Sequence, residues 1–222
     1  MIQRAIADAA RWNRTADDVA TADADDLRVC GVDAALEQDS IVAAAVCMQD
    51  GQIREQTVAR RPLQLPYIPG MLSFREGAAM AAAVDAIEGP IDCLITDRNG
   101  RIHPRQAGTA VHLVVPTGLP SLGVAKRLLC GRPLGELRGR PAGTVTPIVA
   151  DGSVDAEPGT QIGMAVQTRQ YPNVPQVRPV FVSPGHRITV PTAADLIGRL
   201  CDGTRSPPPI READATATAA SR

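Results

Sequence analysis

The feature that most constrains the fold of this chain is the segment Ile91-Asp-Cys-Leu-Ile-Thr-Asp97. It follows Gly89-Pro90 and runs out into Arg98-Asn99-Gly100. A short apolar run bounded by turn residues reads as a buried strand of an α/β sheet rather than as a helix. Asn99-Gly100 supplies the chemistry of a chain reversal directly after it. In open α/β sheets the ligand crevice lies outside the carboxyl ends of the strands, so Asp97 stands where a carboxylate either caps a turn or does chemistry. The segment alone leaves both roles open.

The preceding residues predict an antiparallel start to the sheet. Leu27 to Asp33 and Ile41 to Met48 read as strands, and Asp50-Gly51 is a two-residue hairpin signal that returns the chain along Gln52 to Arg60. Before them, residues 4–20 carry apolar positions at helical spacing (Ile6, Ala10, Trp12, Val19) and predict an amphipathic helix. After the Pro-rich loop 62–71, Ser73 with Glu76 three residues on has the form of a capping box, opening a helix that runs to about Glu88. Taken singly, Glu76 is better explained as part of that cap. Further on, Gln106 to Leu113 predicts a short helix bearing His112, and Leu119 to Ala125 a strand leading into Lys126. Thr144 to Val149 and Ile162 to Thr168 read as a hairpin, Val177 to Val182 as a strand ending in Ser183-Pro-Gly-His186, and Thr192 to Cys201 as a helix. The expected organisation is one domain over 1–202 and a disordered Pro/Ala/Thr-rich tail over 203–222.

Charge bears on the partner. The formal net charge is only −1, yet residues 98–140 hold eight basic side chains against the single acid Glu136. Such a block points to a local anionic partner, with phosphate the first candidate, and charge alone does not exclude a solvated surface. Lysine occurs once in the chain, at Lys126, where a compact point charge is available that the planar fork of arginine does not reproduce. The five cysteines are scattered with no C-x-x-C pair, which suits small buried thiols in a reducing compartment. With no signal peptide and no apolar run of about 18 residues, a cytoplasmic protein with no membrane association is expected.

Asp33, Glu76 and Asp97 stand at the ends of separate elements. Hard divalent cations take oxygen ligands, and carboxylates converging from different elements hold one or two such ions for in-line displacement at phosphorus. Lys126, His103 and His186, each near a strand end, are then the candidates for offsetting phosphate charge and moving protons.

At this point several runs resemble the Endonuclease V (deoxyinosine 3′-endonuclease) family: Gly31-Val-Asp33, Pro66-Tyr-Ile-Pro-Gly-Met-Leu-Ser-Phe-Arg-Glu76, Asp97-Arg-Asn-Gly-Arg-Ile-His-Pro-Arg105, Gly123-Val-Ala-Lys126 and Ser183-Pro-Gly-His-Arg-Ile-Thr189. Their order and spacing match over about residues 27–201. The resemblance implies an RNase H-like α/β fold with a mixed central sheet, a three-stranded antiparallel start and flanking helices. It implies Mg²⁺-dependent DNA repair, with cleavage of the second phosphodiester bond 3′ to a deaminated adenine leaving 3′-hydroxyl and 5′-phosphate ends. By position, Asp33, Glu76 and Asp97 match the metal-binding acids, and Lys126 and His186 match further active-site residues. Pro66, Tyr67, Ile68 and Pro69 match the strand-separating wedge, and His103 lies in the His-Pro-Arg motif. Apolar and aromatic side chains suit a wedge because they enter a base step at a cost of a few kcal/mol, and a weakly paired hypoxanthine is the cheaper base to displace.

The alternatives are an endoribonuclease acting on inosine in single-stranded RNA, Mn²⁺ in place of Mg²⁺, and a non-catalytic nucleic-acid-binding module. The last would be marked by loss of an acid, and all three acids are present. A monomer is expected. One departure stands out: Arg98 follows the third acid, where family members usually carry Gly, and its side chain either crowds the lesion pocket or adds a phosphate contact. His112 lies in a segment looser than the family pattern and is expected to be structural.

Overall fold

The computed structural model describes every residue except 18, 20, 21, 116, 138, 139, 171–177 and 202. The chain begins with helix α1 (Ile2–Ala9), followed by strands β1 (Val29–Glu37), β2 (Ser40–Gln49) and β3 (Gln52–Pro62). Helix α2 (Leu72–Asp85), strand β4 (Cys93–Thr96), the short helix α3 (Thr109–His112) and strand β5 (Ser121–Ala125) come next. Strands β6 (Arg132–Pro133), β7 (Val145–Val149), β8 (Gln161–Val166) and β9 (Val180–His186) precede helices α4 (Val190–Leu200) and α5 (Pro208–Ala220).

The described strands form one sheet in the order β3-β2-β1-β4-β5-β9-β8-β7-β6. The expected antiparallel start is present: β1 pairs with β2 and β2 with β3, and the second reversal is made at Asp50-Gly51 with both residues at positive φ, 54° and 64°. Asp-Gly tolerates that geometry, which matches the twist of the flanking strands. β4 lies between β1 and β5 and is parallel to both, and all four of its residues are buried. That is why Cys93, Leu94 and Ile95 form an unbroken apolar run rather than an alternating one. With β9 antiparallel to β5, the sheet is mixed, as expected.

Each face of the sheet has its own core. On one, Val29, Ile95, Leu122, Val124, Val180 and Val182 meet Ala193, Leu196 and Ile197 of α4 and Ile210 of α5. On the other, Cys30, Val32, Ile41 and Leu94 meet Ala79, Met80, Ala83 and Val84 of α2. All five cysteines are buried free thiols.

Four expectations are corrected. The helix expected over 4–20 stops at Ala9, and residues 18 and 20 lie outside the described residues. Trp12 is needed elsewhere: its indole N–H donates to Gly185 O at 2.9 Å, and Arg101 stacks over its ring at 4.5 Å. Main-chain bonds from Arg187 N to Arg11 O and from Ala16 N to Arg187 O then hold this segment beside the end of β9.

The capping box at α2 is not formed. The helix has no side-chain cap, Ser73 Oγ lies 3.2 Å from Thr109 Oγ1, and Glu76 turns to Arg98.

The tail over 203–222, expected to be disordered, contains α5, with Pro208 and Pro209 in its first turn. Ile210, Ala213 and Ala217 form a narrow apolar stripe that is buried against the sheet. The fit against β1 is close: a Cβ placed on Gly31 would lie 2.2 Å from Pro209 O, so glycine lets helix and strand backbones touch. The strand expected from Val177 begins at Val180, residue 177 lying outside the described residues, and it continues through Ser183-Pro-Gly-His186.

Candidate active site

The parallel register of β1 and β4 brings two of the acids together. Gly31 pairs with Ile95 and Val32 with Thr96, so Asp33 and Asp97 are each one residue past the same pair. Glu76 joins them from the fifth residue of α2. The turn after β4 is seated by close packing on β5, where a Cβ on Gly123 would come within 2.3 Å of Arg98 O and 2.5 Å of Gly100 N. Gly100 N also donates to Ser183 Oγ at 3.0 Å.

The three carboxylates meet at the guanidinium of Arg98. Its Nη1 is 3.1 Å from Asp33 Oδ1 and 4.0 Å from Asp97 Oδ2, and its Nη2 is 3.0 Å from Glu76 Oε2. Arg98 Nε donates to the same Glu76 oxygen at 3.2 Å, and Nη1 to Asp97 O at 2.6 Å. Lys126, directly after β5, places Nζ 2.9 Å from Asp97 Oδ2 while its side chain stays half exposed. Arg75 Nη1 lies 4.0 Å from Glu76 Oε1, so three cations face the three acids.

Burial raises the Asp33 carboxyl to a pKa of about 6; Arg98 opposes the shift, and the charges of Asp97 and Asp214 add to it. Burial works against the charge on Arg98, but Asp33, Glu76 and Asp97 outweigh it and hold its pKa above the ordinary guanidinium value. Asp214 is the acid the sequence reading missed. It lies on α5, in the segment expected to be disordered, and acts on Asp33 across the helix–strand packing.

The donor set suits a hard divalent cation: it consists of carboxylate oxygens that already share one positive centre. As the side chains stand, no group of three His, Cys, Asp or Glu residues among those described is gathered to hold a metal ion. The position between the acids is taken by Arg98.

The histidines lie elsewhere. His103 Nδ1 accepts from Arg105 N–H at 3.2 Å, leaving Nε2 to donate to Gly70 O at 3.3 Å. Gly70 O also accepts from Gln3 Nε2 at 2.8 Å, so the residue after Pro66–Pro69 is held from two sides. Tyr67 and Ile68 in that loop are exposed, Tyr67 at 66%. His186 pairs in register with Ser121 at the start of β5, whereas Lys126 follows its end. Five strand residues separate the two positions, about 16 Å at the rise of an extended chain. His186 Nδ1 instead accepts from Arg11 N–H at 3.3 Å, so the expected grouping of His186 with Lys126 is not found. His112 packs edge-on against Phe74, with ring centroids 5.0 Å apart, and among the described residues its Nε2 is buried without a hydrogen-bond partner. Burial, aided by His103, lowers its pKa to about 4.

The family model for Endonuclease V matches residues 13–215. The chain belongs to the Endonuclease V family. Endonuclease V of Halobacterium salinarum is 47% identical over 191 residues, covering 84% of this chain and 72% of that protein. Among solved structures, Endonuclease V from Streptomyces avermitilis superposes with a TM-score of 0.83 at 32% identity, covering 99% of this chain and 90% of that one. That of Ciona intestinalis, in complex with a 24mer DNA containing an inosine followed by a ribo-adenosine, gives 0.77 at 23% identity over 99% and 94% of the two chains, a likeness that shows the fold. Membership of this nuclease family agrees with the resemblance of the ordered motifs, and the mixed sheet flanked by helices is consistent with an RNase H-like fold. No helix among the described residues is long and apolar enough to cross a membrane.

Proposed function

We propose that this chain is a divalent-metal-dependent DNA repair endonuclease. It nicks the second phosphodiester bond 3′ to a deaminated adenine and leaves 3′-hydroxyl and 5′-phosphate ends. The observation that carries this reading is the meeting of Asp33, Glu76 and Asp97 at one cation position, with Lys126 2.9 Å from Asp97 Oδ2. The inosine-containing DNA bound by the Ciona relative supports the choice of substrate.

Asp33, Glu76 and Asp97 would hold Mg²⁺ or Mn²⁺, which when bound supplies Lewis acidity at the phosphate and a more acidic water. In the displacement a water oxygen bonds to phosphorus, the P–O3′ bond breaks and O3′ takes a proton. Lys126 places its ammonium beside Asp97 and within reach of a non-bridging phosphate oxygen, where it neutralises charge that grows in the transition state. The exposed ring of Tyr67, in the loop flanked by Pro66, Ile68 and Pro69, enters the base stack, and the displaced hypoxanthine leaves the helix. His103 acts on this loop through Gly70 rather than on the reacting phosphate. His186, turned to Arg11, receives no chemical role.

The test is a nicking assay on a duplex with one inosine, run with Mg²⁺, with Mn²⁺ and with a chelator, beside a matched inosine RNA. The expected result is a single nick one nucleotide beyond the lesion's 3′ neighbour bond, lost with chelator and in Asp33→Asn and Asp97→Asn variants that retain the wild-type circular dichroism spectrum. Absence of cleavage by the wild-type protein with either metal would overturn the reading; preference for the RNA would change the substrate and keep the chemistry.

A further inference from the structure

The oxygens that a divalent cation needs at this site are the oxygens that hold Arg98. Asp33 Oδ1 and Glu76 Oε2 both lie within 3.1 Å of guanidinium nitrogens. Asp33 Oδ1 also accepts from Ala34 N–H at 2.8 Å, so its capacity to bind the guanidinium and a cation together is reduced. An ion and a guanidinium cannot share the space between these carboxylates, because both are cations and each replaces water at the same lone pairs.

The backbone that carries Arg98 is fixed. The 97–100 turn packs against Gly123, and Ala110 N–H donates to Asn99 O at 3.2 Å. Movement is therefore left to the side chain, which is 22% exposed and has the length to swing outward.

We infer that Arg98 is an internal counter-cation: it holds Asp33, Glu76 and Asp97 together in the metal-free protein and competes with the divalent cation for them. Metal loading then consists of exchange, with the guanidinium leaving Asp33 and Glu76 as the ion enters. Arg98 is a positioning residue in this scheme, since it acts through the carboxylates. Two consequences follow in opposite directions. Removing the guanidinium frees the ligands and strengthens metal binding. It also leaves buried carboxylates facing one another, with Lys126 beside Asp97 and Arg75 beside Glu76 as the remaining cations, so the metal-free protein loses stability that the ion restores. The inference rests on the proposed metal-binding role of the three acids for the identity of the competing ion.

The experiment titrates Mn²⁺ into the full-length protein without nucleic acid, by calorimetry and by electron paramagnetic resonance, and records thermal unfolding with Mn²⁺ and with chelator. Arg98→Ala is compared with wild type, with Arg98→Lys, and with Arg60→Ala as a control at a surface ion pair with Glu37. Arg98→Ala is expected to bind Mn²⁺ about 10- to 100-fold more tightly, the range that one charge-assisted hydrogen bond represents when it no longer competes. Its melting temperature is expected to fall below wild type in chelator and to rise more steeply with Mn²⁺. Arg98→Lys, whose single ammonium cannot bridge all three acids, is expected to lie between them, and it supplies the affinity comparison if Arg98→Ala does not fold without metal. Equal or weaker Mn²⁺ binding by the Arg98 variants overturns the inference and leaves the nuclease reading standing. Absence of Mn²⁺ binding by wild type and variants alike overturns both.

Discussion

Replacing Gly31 by alanine tests whether α5 is part of the working fold. The added Cβ would lie 2.2 Å from Pro209 O and 2.7 Å from Ile210 N, where ordinary contact begins near 3.4 Å. Both neighbours are main-chain atoms at the start of a helix, so neither rotates away, and α5 must retreat by about 1 Å. That retreat loosens Ile210 and Ala213, which are 1% and 0% exposed. Overpacking of this kind costs about 1–3 kcal/mol, and partial loss of the Ile210 contacts adds about 1 kcal/mol. A total of roughly 2–4 kcal/mol lowers the melting temperature by about 5–15 °C for a chain of this size. Thermal and urea unfolding followed by circular dichroism read the change, and hydrogen exchange over residues 208–220 assigns it to α5. Since Asp33 lies two residues along the same strand, nicking of inosine DNA should fall as well. A Gly31→Ala protein within about 0.5 kcal/mol of wild type, with unchanged protection in α5, refutes the close packing on which this reasoning depends.

Lys126→Ala should reduce the nicking rate on the order of 10²-fold, and Lys126→Arg should recover only part of it, because a planar fork replaces a point charge beside Asp97; single-turnover kinetics at saturating metal read both. Tyr67→Ala should impair cleavage of inosine in duplex DNA more than in single-stranded DNA, since only the duplex must be opened; equal losses on both substrates would remove the wedge role. His112 should make stability fall as pH drops. Its pKa goes from an ordinary 6.5 to about 4 on folding, so the unfolded chain gains a proton that the native state refuses over that window. His112→Phe should flatten the urea-midpoint profile between pH 6.5 and 4, and an unchanged profile would place the titrating group elsewhere.

The elements whose cues are local were legible from the residues alone. The apolar run Ile91 to Ile95 and the Asp50-Gly51 reversal each encode their backbone in a few neighbours; the reversal is found as expected, and the run contains the buried strand Cys93–Thr96. Elements whose cues compete were read wrongly. Helical spacing around Trp12 lost to a hydrogen bond with Gly185 and to the stacked Arg101. The Ser73/Glu76 pattern lost to Thr109 and Arg98, which the fold brings within reach of these side chains, and the helix already begins at Leu72. The tail was misjudged because alanine and threonine carry little hydropathy. Its stripe of Ile210, Ala213 and Ala217 becomes worth burying only against a strand that presents Gly31.

The same division holds at the site. The sequence by itself determined which acids and which lysine are available, because ordered motifs carry residue identity, and it marked Arg98 as unusual. Tertiary structure alone decided what these groups do to one another. Strand direction put His186 and Lys126 at opposite ends of β5, helix docking brought Asp214 to Asp33, and the meeting of three elements placed the Arg98 guanidinium between carboxylates 22 and 65 positions away in the chain. The physical reason is that hydropathy and turn preference act between neighbours, whereas charge acts through space on whatever the fold brings within a few ångströms.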